Sequence, residues 1–91
     1  VLGLTRVIAR EVGKDGIRVN SVAPSMVRTD SAAEFLGEKA DRAFDVIAKG
    51  QILQKTLEVD DIYGTILYLA GNQSKFVTGQ TLMVDGGSVL L

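Results

Sequence analysis

Four residues near the end of a β-branched run, Pro24, Ser25, Val27 and Thr29, have the types and spacing to hold a small polar ligand. The run before them, Ile17-Arg18-Val19-Asn20-Ser21-Val22, alternates apolar and polar side chains and reads as a strand. In an open α/β sheet, ligands bind beyond the C-terminal ends of the strands. This strand delivers the loop to that edge. Pro24, the only proline, stiffens the start of the loop because its ring fixes φ. Backbone groups near Val27 are expected to be exposed and able to pair with a carboxamide, which needs one donor and one acceptor. The Thr29 hydroxyl can both donate and accept, and Ser25 offers a second hydroxyl.

Little else in the chain can do chemistry. There is no histidine and no cysteine, which removes the commonest general base and metal ligand, any thiolate nucleophile and any disulfide. Asp85-Gly86-Gly87 has two readings, a metal or phosphate loop and a strand-ending turn. The turn is preferred, because one aspartate is a poor metal site and no helix follows to receive a phosphate. Asn20 has two readings as well, a catalytic amide and a structural hydrogen bonder; the structural one is preferred. Tyr63 and Tyr68 lie on an apolar helical pattern without a Tyr-x-x-x-Lys spacing, so neither reads as catalytic.

The elements that must position the loop follow from periodicity. Val1, Leu4, Ile8 and Val12, widened by Leu2 and Ala9, form the stripe of an amphipathic helix that Gly13 and Gly16 end. After the strand at 17–22, no strand is apparent from Ala23 to Val59. Two short helices are expected there, near Ser31 to Leu36 and Ala40 to Lys49, separated by Gly37 and ended by Gly50. A connection this long is usually a functional lid or disordered. Phe35, Leu36, Phe44, Ile47, Ile52 and Leu53 make it too apolar for disorder, so residues 30–57 read as a lid. A further helix from about Val59 to Ala70 carries Glu58, Asp60 and Asp61 at its start, where negative charge suits the helix dipole. The strand Gln80 to Val84 closes the order helix, strand, lid, helix, strand. Two strands joined through a helix make a right-handed parallel crossover, half of a doubly wound α/β (Rossmann-like) fold.

With 91 residues the chain fits one domain, and 46% hydrophobic with 23% charged residues describes a globular protein. A net charge of −1 gives no reason to expect nucleic acid as a partner. Arg6, Arg10, Lys14, Arg18 and Arg28, interleaved with Glu11 and Asp15, read as a solvated face. No apolar run reaches the roughly 18 residues that a membrane span needs, and no leader peptide is evident, so a cytoplasmic protein without a membrane partner is the default expectation. The chain opens on Val1 inside a helical pattern with no cap before it, which reads as a piece of a longer protein.

Four stretches in this order resemble one family. LTRVIAREVGKDGIRVNSV, from Leu4 to Val22, is similar to the helix and strand after the catalytic tyrosine and lysine of short-chain dehydrogenases/reductases. NSVAPSMVRT, from Asn20 to Thr29, resembles the family pattern N-x-[IV]-x-P-G-x-[VI]-x-T. VDDIYGTILYLAG resembles the helix before the closing strand, and TGQTLMVDGG, from Thr78 to Gly87, resembles that strand. The likeness covers essentially the whole chain, weakest from Asp30 to Lys55, and is to the 3-oxoacyl reductase and alcohol or sugar dehydrogenase type. Ser25 departs from the family's glycine, whose freedom at positive φ would let backbone approach a ligand. Val59 departs from a common first-turn proline.

The resemblance implies an NAD- or NADP-dependent oxidoreductase that moves a hydride between coenzyme and a small carbonyl or alcohol substrate. It assigns the nicotinamide side of the coenzyme site to Pro24, Ser25, Val27 and Thr29. It also implies a substrate lid bearing Phe35, Leu36, Phe44 and Ile47, although packing of the lid on the domain explains those side chains equally well. The chain has no G-x-x-x-G-x-G and no Tyr-x-x-x-Lys, so it is expected to be inactive alone and to represent the C-terminal segment of one domain. Its implied partners are the upstream half of the same enzyme and further copies in a homo-oligomer. The alternative is a truncated, non-catalytic module that self-associates or joins an intact enzyme.

Overall fold

The computed structural model describes residues 2–89 and begins with α1, Leu2–Val12. A 3₁₀ turn at Gly13–Asp15 follows, and Gly16 ends it in the left-handed region at φ 76°. Glycine reaches that conformation without the Cβ clash other residues meet. Val1, one of the expected stripe residues, lies outside the described residues.

The first strand, β1, is Ser21–Pro24 and pairs in parallel with β4, Thr81–Val84, in the register Ser21↔Thr81 to Pro24↔Val84. It starts four residues later than the expected Ile17. Residues 17–20 do run beside 77–80, but side chains replace much of the ladder there. Val19 N donates to Thr78 Oγ1, Asn20 Nδ2 donates to Val77 O, and Gln80 N donates to Asn20 Oδ1. Regular pairing begins where Ser21 N meets Gln80 O at 2.9 Å. Asn20 is thus a structural hydrogen bonder, as preferred from the sequence.

The expected strandless stretch from Ala23 to Val59 contains two short strands. β2, Val27–Arg28, pairs in parallel with β3, Leu57–Glu58. Two-residue strands show no alternation, so periodicity cannot reveal them. Between them lie α2, Asp30–Leu36, a 3₁₀ turn at Gly37–Lys39 and α3, Ala40–Lys49. Both helices occupy the expected ranges to within a residue. α4, Asp60–Ala70, then returns the chain to β4 and packs on both β1 and β4. Asp60 and Asp61 fall in its first turn, and Glu58 N donates to Asp61 Oδ2 at 2.8 Å. After β4, Asp85 ends the strand as a turn. Its carboxylate accepts from Gly87 N and Val89 N, with Gly86 and Gly87 at positive φ.

Arg18 departs from the solvated face expected of the basic residues, whereas Arg28 is exposed. Arg18 is half-buried and caps the C-terminus of α4. Its guanidinium donates to Leu69 O, Gly71 O, Val77 O and the buried Ser74 Oγ at 3.0–3.3 Å. A planar fork of donors suits several carbonyls at a helix end, where backbone acceptors lack intrahelical partners.

Among the described residues the buried apolar ones are few: Ala9, Ala40, Phe44, Ala48 and Leu57. The expected apolar stripes exist on α1 and α4 but are largely uncovered. Leu4 is 62% exposed and Leu67 71%. The radius of gyration is 15.5 Å, against about 12 Å for a compact domain of this length. The accessible surface is 6888 Å², roughly 1,800 Å² more than a compact monomer of this mass exposes.

Candidate nicotinamide-side loop and lid

The loop from Pro24 to Thr29 leaves the C-terminal end of β1, as parallel topology requires. Ser25 N donates to Val84 O at 3.1 Å, so pairing with β4 extends one step past the proline. Among the described non-glycine residues only Gln54 has positive φ. Ser25 therefore sits in ordinary backbone, and the freedom of the family's glycine is not needed for this turn. Val27, expected in an open loop, instead lies in β2 opposite Leu57 and is half-buried.

Thr29 stands in extended conformation at the N-cap of α2, and its Oγ1 accepts from Ala32 N at 3.0 Å. A threonine here satisfies one of the orphan N–H groups of the first turn. The hydroxyl proton has no acceptor among the described residues. Thr29 can thus cap the helix and donate to a ligand at the same time. The loop also has a steady base, because its two flanking strands are each held in a parallel pair.

The four expected lid residues do not form one surface. Phe44 is 2% exposed and belongs to the core, with Ala40 and Ala48 on the same helix. Ile47 and Leu36 are half-buried. Phe35 is 89% exposed on α2 and touches little. The C-terminal end of the lid is tied to the closing turn. Leu53 N donates to Gly86 O at 3.0 Å, and a Cβ on Gly87 would stand 2.8 Å from Ile52 Cδ1. Close approach of the chain at Gly87 requires the missing side chain. Beside this junction lies a cavity of about 300 Å³ lined by Gln51, Leu53, Leu57, Asp61, Val84 and Gly86.

A cavity of about 680 Å³ opens elsewhere, between the start of α1 and the face of the β1–β4 pair. Leu2, Arg6, Val22 and Met83 are among its walls, and none of Pro24, Ser25, Val27 or Thr29 is. A hydroxyl chain crosses that region, Thr5 Oγ1 to Ser21 Oγ to Thr81 Oγ1, each step 2.9 Å. Sequence reading missed this chain, because hydroxyls on separate elements carry no shared spacing. Tyr63 and Tyr68 are both substantially exposed on α4. Among the described residues no group of three acidic, histidine or cysteine side chains could hold a metal ion, and no helix is long and apolar enough to cross a membrane.

A protein-family model described as enoyl-(acyl carrier protein) reductase matches residues 1–89. Xanthoxin dehydrogenase of Arabidopsis thaliana is 40% identical over 95 aligned residues, covering 96% of this chain and 33% of that protein. The (2S)-[(R)-hydroxy(phenyl)methyl]succinyl-CoA dehydrogenase subunit BbsD of Thauera aromatica is 47% identical over 90 residues, covering 99% of this chain and 35% of its own. Among solved structures, a 4-hydroxyisoleucine dehydrogenase complexed with NADH superposes with a TM-score of 0.83 at 38% identity. It covers 97% of this chain and is itself covered over 35%. The chain thus spans about a third of the length of the curated relatives it matches.

Proposed function

The chain belongs to the short-chain dehydrogenase/reductase family, and on that footing we propose that it forms the C-terminal segment of a single NAD(P)-binding domain in an oxidoreductase. Bound NAD(P) supplies the hydride that such an enzyme exchanges with a carbonyl or alcohol carbon. The residues of this chain hold and orient the coenzyme. Pro24 and Ser25 shape the turn beyond β1, the backbone at Val27 faces the carboxamide, and Thr29 donates its free hydroxyl proton. The observation that carries this reading is Thr29, which caps α2 through its lone pair and keeps its O–H available at the C-terminal edge of two parallel strands. The similar dehydrogenase solved in complex with NADH supports the choice of coenzyme class.

Residues 30–57 form the substrate lid in this reading, and the exposed Phe35 is the lid side chain free to meet an apolar part of a substrate. This chain has no Tyr-x-x-x-Lys pair, so in this reading the step that moves the substrate proton belongs to the upstream part of the enzyme. The surface excess of roughly 1,800 Å² on this chain is about twice the ~800 Å² that one partner of a standard interface buries, and fits more than one covering surface, the upstream half and further copies in a homo-oligomer. The same exposed faces on α1 and α4 would suit a truncated module that assembles with an intact enzyme. The sequence encoded upstream of Val1 discriminates the two, since only the enzyme requires a Tyr-x-x-x-Lys there.

Calorimetric titration of the intact enzyme with NADH and NADPH tests the proposal. Thr29→Val should weaken coenzyme binding about tenfold, the worth of one hydrogen bond, while Thr29→Ser should restore it. Equal affinity in all three proteins would remove Thr29 from the coenzyme site.

A further inference from the structure

Arg28 stands between Val27 and Thr29, and through it the loop meets the lid. Its guanidinium carbon lies 4.8 Å from the centroid of the Phe44 ring. Phe44 is buried in α3, so the ring is a fixed platform rather than a mobile surface group. Nη1 lies 3.8 Å from Asp41 Oδ1 on α3, and Nε lies 3.8 Å from Glu58 Oε1 on β3. These ion pairs are long and exposed, so they contribute little. The planar cation over the aromatic face carries the contact, and a lysine cannot reproduce that geometry. The backbone of Arg28 is meanwhile paired with Glu58. One residue thus ties β2, β3 and α3 together, with Thr29 and its capped helix immediately after it.

We infer that Arg28 is a positioning residue that makes the coenzyme loop and lid helix α3 one mechanical unit, so that displacing α3 weakens coenzyme binding through Arg28. The inference rests on the reading of Pro24 to Thr29 as the nicotinamide-side loop. It differs from a purely structural role in one respect: the Arg28–Phe44 contact couples a lid position to a binding constant.

A double-mutant cycle in the intact enzyme tests it, with NADH or NADPH as the probe, whichever the unreplaced enzyme binds. Arg28→Met keeps an unbranched stem against the ring, and Phe44→Leu keeps an apolar side chain in the core, so both should fold. Each replacement should raise the coenzyme dissociation constant about fivefold, and the double replacement should raise it about fivefold too, not by the product of the two. Amide exchange across residues 40–48 should quicken in Arg28→Met. Arg28→Lys should behave like Arg28→Met. Unchanged affinity in both single variants, a multiplicative double variant, or a lysine variant equal to the parent would each overturn the coupling. If Phe44→Leu does not fold, Arg28→Met and Arg28→Lys decide the matter by affinity and exchange together. If neither coenzyme binds the unreplaced enzyme, the functional reading of the loop fails separately. Exchange across 40–48 then judges the coupling alone: faster in Arg28→Met upholds it, and unchanged overturns it.

Discussion

The lid and the crossover differ in how they satisfy their apolar residues. In the lid, α3 buries Ala40, Phe44 and Ala48, Leu57 of β3 is buried as well, and Arg28 lies over the aromatic ring. Outside the lid, α1 buries only Thr5 and Ala9, and α4 of the crossover buries none of its residues. Yet both helices carry apolar stripes that are legible in the sequence. A strong stripe states that a helix must be covered, but it does not say that the covering surface lies in the same chain. The shorter and less regular lid builds its own small core.

The comparison breaks first at Phe44. Phe44→Ala should cost about 3–5 kcal/mol, the range for deleting a buried aromatic ring, read from the denaturation midpoint of the intact enzyme. A cost below about 1 kcal/mol would mean that the lid core is not a core. Arg18→Met comes next. It strips three backbone carbonyls and Ser74 of a charged donor and should cost about 2–3 kcal/mol by the same measurement. Thr29→Ala removes the α2 cap and should cost about 1 kcal/mol, with faster exchange confined to the first turn of α2. The smallest effect belongs to Leu67→Ser in the 91-residue chain alone, within about 0.5 kcal/mol because the side chain is already in water. In the intact enzyme the same change should be clearly destabilising or dissociating, seen as a lower thermal midpoint or a smaller sedimenting species. That contrast between two contexts sharpens the distinction between self-sufficient lid and dependent crossover.

Much of the fold was legible in local pattern. Both lid helices, α4 with its acidic first turn and the Asp85-Gly86-Gly87 turn were readable from periodicity, dipole complementarity and glycine placement. The candidate loop was legible because Pro24 and Thr29 follow a β-branched run at a spacing that parallel topology brings to the sheet edge. What stayed hidden depends on distant partners. β2 and β3 are two residues each and exist only through pairing across the lid. The start of β1 was displaced because Asn20 and Thr78 substitute side chains for ladder bonds. Arg18 read as a solvated charge because nothing local reveals a helix end more than ten residues away; Arg28 is solvated as expected, but nothing local shows that it also lies over an aromatic ring. Phe44 and Phe35 looked alike as lid residues, but one fills the core, with Arg28 over its ring, and the other faces water, a difference that helical spacing alone does not reveal.

Amide hydrogen exchange on the 91-residue chain and on the same segment within the intact enzyme tests the central claim most directly. The account predicts that α1 and α4 exchange rapidly in the isolated chain and become strongly protected in the intact enzyme, while the protection of α3 and β3 changes little. Equal protection of α1 and α4 in both contexts would show that the crossover needs no cover, and would contradict the reading of this chain as one segment of a larger oxidoreductase domain.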